Sequence, residues 1–199
     1  MRAALLVLAV TAAPAHADRE PPGSLQLTAV APSATLALET APCVRGLRAR
    51  SSRVIGTARV TVVHDCEGDA EARSAGLAIR SADRWFFSSN GLVALERVSS
   101  NIIRRVTFAR EHLSAGVLAS GEPAAIYTIE TINGTAGALR FGRVLVCTVR
   151  AEVACSEPLA FACAAESCTA PRLSRGVLIV HDADEGEQRY AVAMAVKER

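Results

Sequence analysis

The chain has 199 residues and a formal net charge of +2 at neutral pH, and half of its residues are hydrophobic. This length suits one well-buried core, and no Gly/Ser-rich or Pro-rich linker divides it. A near-neutral chain without a basic block gives no electrostatic basis for binding nucleic acid or an anionic membrane surface. We therefore expect no nucleic-acid partner, whereas a protein or a small-molecule ligand is compatible with the composition.

The first 17 residues have the order of a secretory signal peptide. Arg2 supplies a short positive region, an apolar run follows from Ala3 to Ala13, and Ala15-His16-Ala17 is a small-x-small cleavage site. This run is too short to span a bilayer, and charges or breakers interrupt every later apolar run, so no transmembrane segment is predicted after signal removal. A buried N-terminal helix is the alternative. We expect residues 1–17 to be removed and 18–199 to form a single β-rich domain that is secreted or periplasmic.

Six cysteines follow the predicted signal peptide. An even number of cysteines in an exported chain indicates disulfide bonds, although several complete connectivities are open to six cysteines. The pairing that closes three short local loops joins Cys43 to Cys66, Cys147 to Cys155 and Cys163 to Cys168. A zinc site from the last four cysteines is the alternative, but they lack paired C-x-x-C spacing and exported thiols oxidise. We predict the three local disulfides.

Hydrophobic residues alternate with a period of two over much of the chain, which is typical of half-buried strands. The pattern predicts strands at Val54–Asp65, at Leu139–Val149 and from Tyr190 to Val196. Two more strands are predicted at Leu25–Val30 and Ala34–Leu38, with a bend near the proline between them.

Turn residues separate these strands. Asn133-Gly134 is a strong hairpin signal, because both residues tolerate the positive φ angles of a type I′ turn, and Ser89-Asn90-Gly91 is a looser one. The segment Ser99–Leu113 fits both a strand face and helical spacing; we predict a strand, with one short helix near 101–113 as the alternative. The sequence therefore predicts an all-β protein, an antiparallel sandwich or barrel-like domain with disulfide staples.

The dipeptide His-Asp occurs twice, at His64-Asp65 and His181-Asp182, each time between an apolar run and an acidic, Gly-containing bend. If the two hairpins lay side by side, the imidazoles and carboxylates could hold zinc or another divalent ion. Aspartate is also a favoured turn residue after a strand, because its side chain bonds the backbone two residues on. We favour the turn interpretation and keep the four residues as candidate metal ligands. No cofactor is otherwise expected.

No local motif marks a catalytic site. The sequence has no G-x-S-x-G elbow, phosphate-binding loop, H-E-x-x-H helix or dinucleotide fingerprint. These observations favour an exported, disulfide-stabilised, non-catalytic binding or structural protein. Two alternatives remain: an exported metal-dependent hydrolase that uses the His-Asp turns, and an inhibitor of an exported enzyme that presents the loop between Cys163 and Cys168.

Overall fold

A computed structural model of the protein describes residues 23–33, 38–39, 47–65, 73–93, 96–99, 102–134, 139–164 and 166–195. Within these ranges the chain forms sixteen strands and no helix, so the predicted all-β class is confirmed. The strands are β1 (Gly23–Ala29), β2 (Pro32–Ser33), β3 (Leu38–Glu39), β4 (Leu47–Ile55), β5 (Ala58–Asp65), β6 (Arg73–Ser81), β7 (Arg84–Val93), β8 (Glu96–Ser99), β9 (Ile102–Val117), β10 (Pro123–Gly134), β11 (Leu139–Thr148), β12 (Ala154–Ser156), β13 (Leu159–Cys163), β14 (Arg172–Ser174), β15 (Val177–Asp182) and β16 (Gly186–Met194). In the same ranges, no segment combines the helical length and apolar character needed to cross a bilayer.

Ten strands form a sheet that curls until β14, at one end of the strand order, contacts β9, the strand next to the other end. Nine of them follow the order β14-β15-β16-β1-β12-β11-β10-β9-β8, and β13 pairs with β11. At the seam between β9 and β14, the Gly176 N–H donates to the Val117 carbonyl oxygen at 2.9 Å. The two strands come so close that a methyl group added at Gly116 would lie 2.5 Å from the Cβ of Leu173. We call this the barrel-like sheet, because it is nearly closed.

Six strands form the second sheet, in the order β2-β7-β6-β5-β4-β3. It packs face to face on the part of the barrel-like sheet formed by β9, β10 and β11. Most strand pairs are antiparallel, as the turn signals predict, but β1 pairs with β16 and β3 pairs with β4 in parallel. The strands β1 and β16, at opposite ends of the chain order, are thereby brought together, which no local turn signal could indicate.

The strands β10 and β11 are buried on both faces, and each face belongs to a different hydrophobic core. This accounts for their nearly continuous apolar runs, since a strand covered on both sides loses the alternating pattern. The residues between the two sheets are Ala125, Tyr127, Ile129, Leu145 and Cys147. The residues that face the barrel interior are Ala124, Ile126, Val144 and Val146.

Two disulfides lie in the described part of the chain, with the predicted pairings. Cys147 and Cys155 are directly opposite each other on β11 and β12, with their Cα atoms 4.1 Å apart, and their bond is buried in the core between the sheets. Cys163, at the end of β13, bonds to Cys168 in the segment before β14, and this pair is half-buried. The predicted pairing of Cys43 with Cys66 lies outside the described residues.

Two strand predictions differ from the structure. The segment predicted as one strand from Val54 to Asp65 is two strands, because the chain turns at Gly56-Thr57; Val54, predicted to face the core, is 66% exposed. The helical alternative near 101–113 is wrong: the described part of this segment, residues 102–113, lies within β9, where β10 pairs with it along most of its length. Of the predicted strand Ala34–Leu38, all but the last residue lies outside the described residues.

The predicted hairpin between β10 and β11 is present, but Asn133-Gly134 does not form its tip. Asn133 pairs with Leu139 on β11, while Gly134 pairs with Arg105 on β9. Both residues therefore belong to β10, and the connection is longer than a two-residue turn. Local turn propensity identified the hairpin correctly and placed its tip too early.

The predicted turn at Ser89-Asn90-Gly91 is wrong. These residues lie inside β7, where the register with β6 shifts so that one extra residue stands opposite Ala75, a β-bulge. The chain instead turns between β6 and β7 at Ala82-Asp83, with positive φ angles of 46° and 62°. Aspartate is a common turn residue but alanine is not, so this type I′-like turn lacks the Asn-Gly or Asp-Gly pair that marks such a turn in a sequence.

Gly142 provides a test of the packing inside the barrel-like sheet. It stands opposite Phe161 on β13, and the aromatic ring lies where a Cβ at position 142 would be. We expect Gly142→Ala to lower the free energy of unfolding by about 1–3 kcal/mol through overpacking. Urea unfolding of the purified protein measures this. In a Phe161→Leu background the same change should cost clearly less; an unchanged midpoint for Gly142→Ala alone would contradict the packing.

Candidate functional site

A partly buried polar cluster joins the two sheets near one end of the sandwich. His64 on β5 and Glu111 on β9 face each other, with Nε2 and Oε2 2.7 Å apart. The hydroxyl of Tyr127 on β10 donates to the same carboxylate oxygen at 3.1 Å. Because β5 belongs to the second sheet and β9 and β10 to the barrel-like sheet, these three side chains form an inter-sheet cluster.

The contacts within the inter-sheet cluster determine the protonation states of Glu111 and Tyr127. The hydrogen bond from His64 lowers the pKa of Glu111 below its ordinary value of 4.5, against the opposing effect of partial burial, and Tyr127 and the charge of Arg50 lower it further. Burial raises the pKa of Tyr127 above its ordinary value of 10, and the negative charge of Glu111 adds to this. At neutral pH Glu111 is therefore an anion that accepts two hydrogen bonds, and Tyr127 is a neutral donor.

A second polar contact between the sheets lies level with Glu111, across the neighbouring strands. On the barrel-like sheet, Glu111 pairs with Ile129, which pairs with Arg143. Asn90, at the bulge of β7, is fully buried, and its side-chain amide donates to the Arg143 carbonyl oxygen at 3.4 Å. The sheets are thus linked by polar contacts on both sides of Ile129, where the sandwich core ends.

Both His-Asp dipeptides lie at the end of the first strand of a hairpin, His64-Asp65 on β5 and His181-Asp182 on β15. His64 pairs with Ala75, eleven positions later, whereas His181 pairs with Glu187, six positions later. The two His-Asp dipeptides therefore do not belong to a structural repeat.

Asp182 performs the turn role that its position suggests. Its Oδ1 accepts hydrogen bonds from the N–H groups of Asp184 and Glu185, at 2.8 and 3.1 Å, and its Oδ2 accepts one from the N–H of Ala162 at 2.8 Å. These bonds, the one from Ala162 first, lower the pKa of Asp182. The side chain thus holds the β15–β16 turn and fastens it to β13.

The candidate metal ligands do not form one group in the described part of the chain. His64 and Asp65 lie on the second sheet and His181 and Asp182 on the barrel-like sheet; the Asp65 side chain is outside the described residues. His181 is partly exposed, with Nε2 3.9 Å from a carboxylate oxygen of Glu187 across the hairpin. Among the described residues, no three His, Cys, Asp or Glu side chains are placed to share a metal ion.

A cleft of about 200 Å³ opens at the seam of the barrel-like sheet. It is lined by Arg110, Glu111 and His112 of β9, by Thr128 and Glu130 of β10, and by Cys168 and Ala170 of the segment before β14. We call it the seam cleft. At the cleft, β9 is separated from the segment before β14. Farther along the seam, β9 and β14 are in close contact.

The floor of the seam cleft contains a buried carboxylate that is already satisfied. Glu130 is 4% exposed, forms an ion pair with Arg140, and accepts a hydrogen bond from the Cys168 N–H at 3.5 Å. At the rim, the Arg110 and His112 side chains are exposed, and neither makes a side-chain hydrogen bond or ion pair with the described residues. Among the described residues, no carboxylate forms an ion pair with the positive charge of Arg110 in the cleft.

Sequence reasoning missed both the inter-sheet cluster and the seam cleft. Glu130 carried a usable signal, because it is a lone carboxylate in the apolar strand that runs from Ala124 to Ile132. Tyr127 in the same strand carried a weaker one. His64 and Glu111 are 47 positions apart, and their contact depends on how the two sheets pack, which no local pattern encodes.

The hydrogen bond of Tyr127 can be tested by deleting a single oxygen. We expect Tyr127→Phe to lower the free energy of unfolding by about 1.5–3 kcal/mol, since a buried donor to an anion is lost. Tyr190, the only other tyrosine, makes no side-chain hydrogen bond within the described residues, so Tyr190→Phe is the matched control and should cost under about 0.5 kcal/mol. Equal losses in chemical denaturation would contradict the role of the Tyr127 hydroxyl.

The lowered pKa of Glu111 predicts a specific acid sensitivity. An unfolded chain takes up this proton near the ordinary value of 4.5, before the folded chain does, so the stabilisation is present above that pH and is lost as the pH falls through the folded value. We expect Glu111→Gln to be less stable than the wild type at pH 7 and to lose less stability between pH 6 and pH 3. Parallel pH dependences in the two proteins would contradict this.

The chain matches no protein-family model, no curated protein and no solved structure. Its function must therefore be argued from the inter-sheet cluster and the seam cleft.

Proposed function

We propose that the chain is an exported, non-catalytic binding protein of a secreted or periplasmic compartment, and that the seam cleft is its binding site. The observation that carries this proposal is the contrast within the cleft. Glu130 is buried and neutralised by its own partners, while Arg110 is exposed beside it without a partner among the described residues. A cation held at the rim of a concave site is a group available to a ligand.

The inter-sheet cluster supports a structural role for the titratable groups it contains. Both hydrogen bonds to Glu111 Oε2 come from within the cluster, one from the opposite sheet and one from the neighbouring strand. Asp182 is used in the same way, with its carboxylate bonded to three backbone N–H groups. The hydrogen bonds of Glu111 and Asp182 stabilise the fold. We therefore assign binding to the seam cleft.

The disulfides support export. Bonds such as Cys147–Cys155 and Cys163–Cys168 persist in oxidising compartments and are rare in the cytosol. They agree with the signal-peptide order of residues 1–17, which lie outside the described residues.

Export and the non-catalytic assignment are tested on protein made from the full gene in a bacterial host. We expect mass spectrometry to find a mature chain that begins at Asp18 and has no thiols reactive towards alkylation, and elemental analysis to find less than about 0.1 metal ion per chain. An intact leader with free thiols would contradict export.

The metal-dependent hydrolase is the alternative that the same sample can distinguish. A stoichiometric metal ion that is lost in a His64→Ala/His181→Ala double variant, but kept in a His112→Ala control, would replace the binding proposal with the hydrolase. So would hydrolytic turnover that disappears with the same double variant.

A further inference from the structure

Part of β9 forms a sheet edge along the seam that none of the described strands covers. On this side, β8 pairs with the first residues of β9, Ile102–Arg104, and the chain closes the other end where Gly176 bonds to Val117. Between these points, none of the described strands pairs with this side of β9. An open edge of this length is a template for another strand.

The backbone groups that face the seam can be assigned from the pairing. Because the Val117 carbonyl oxygen accepts from Gly176, the backbone groups of Val117 point towards the seam. In an antiparallel pair the N–H and C=O groups of alternate residues point the same way, so those of Ala115, Leu113 and Glu111 also point there. Glu111 lines the seam cleft, which places its N–H and C=O groups at the cleft wall.

The protein already places a strand against this edge. β14 contacts the end of β9, with Leu173 beside Gly116, and Gly176, just after β14, is bonded to Val117. β14 has only three residues, against sixteen in β9. Cys168 and Ala170, before β14, form the far wall of the cleft, so the cleft occupies the gap between an open edge and the segment that would otherwise cover it.

The charge of the cleft determines which side chains would be favoured on a strand that paired with this edge of β9. Arg110 and His112 lie on the face of β9 that Gly116 shares, and both are exposed. The carboxylate of Glu111 is on the other face, bonded to His64, and Glu130 is paired with Arg140. An acidic side chain on an incoming strand would therefore meet the guanidinium of Arg110, which suits a carboxylate through paired N–H donors.

We propose that the seam cleft binds an extended acidic segment of a partner protein, which adds as a strand to the edge of β9 at Glu111 and Leu113 and places a carboxylate on Arg110. This inference rests on the proposed binding function and names its partner class. Main-chain hydrogen bonds supply part of the affinity in such strand addition, and the charged side chain supplies selectivity. The volume of about 200 Å³ is small for a compact drug-sized ligand and suits a short stretch of extended chain.

The test uses the mature, disulfide-bonded protein and a capped peptide of alternating valine and glutamate. We expect the peptide to bind in isothermal titration calorimetry and to shift the amide NMR signals of Glu111 and Leu113. Two modified peptides separate the contributions: one with alternate backbone nitrogens methylated, the other with glutamine in place of glutamate. Each should bind at least about tenfold more weakly, because one loses main-chain donors and the other the charge.

Matched variants place the contact. Arg110→Gln should weaken peptide binding at least about tenfold, whereas Arg53→Gln, which removes an exposed arginine from the second sheet, should leave it unchanged. Circular dichroism and urea unfolding confirm that both variants keep the fold. Binding unaffected by N-methylation and competed by acetate would show a simple carboxylate site and overturn strand addition.

Failure of this inference and failure of the proposed function give different results. If the peptide does not bind at about 1 mM while the mature protein is exported, metal-free and without hydrolytic activity, strand addition is wrong and the binding proposal stands. If the protein carries a stoichiometric metal bound through His64 and His181, the proposed function itself is wrong.

Discussion

The fold depends on one constraint: β10 and β11 are covered on both faces. One face packs on the second sheet through residues such as Tyr127 and Leu145, and the other lines the barrel interior through residues such as Ile126 and Val144. Each fully buried side chain of this size contributes about 1.5–3 kcal/mol, so the two strands hold a large share of the stability of both layers. The disulfide at Cys147 fixes β12 to this pair from within the core.

Burial on both faces leaves few positions for polar side chains, and the ones that occur are informative. Tyr127 and Glu130 lie on opposite faces of β10, and each is satisfied by a partner from a neighbouring strand, Glu111 for the tyrosine and Arg140 for the glutamate. The first pair joins the sheets. The second neutralises the floor of the seam cleft, so Arg110 is the charge that the cleft would offer to the proposed ligand. The candidate site thus arises where the barrel-like sheet stops closing on itself.

Features set by neighbouring residues could be predicted from the sequence. Period-two patterns identified β1, β5, β11 and β16 in part, and short cysteine spacing gave the two disulfides seen here, because each closes a loop whose ends are already near. Features that depend on the register between paired strands could not be predicted from the sequence. Asn133-Gly134 has ideal turn chemistry but lies within β10, and Ala82-Asp83 turns the chain without the Asn-Gly or Asp-Gly pair that marks a type I′ turn. The contact between His64 and Glu111 depends on sheet packing, which a single sequence does not display.

Native-state hydrogen exchange tests the central claim that one pair of strands serves both cores. If it does, amides of Leu145 on β11, Val60 on β5 and Leu178 on β15 should exchange with the same free energy, equal to that of global unfolding. Exchange of Val60 through a separate, lower-energy opening, while Leu145 and Leu178 stay protected, would show that the second sheet unfolds independently and would contradict the account.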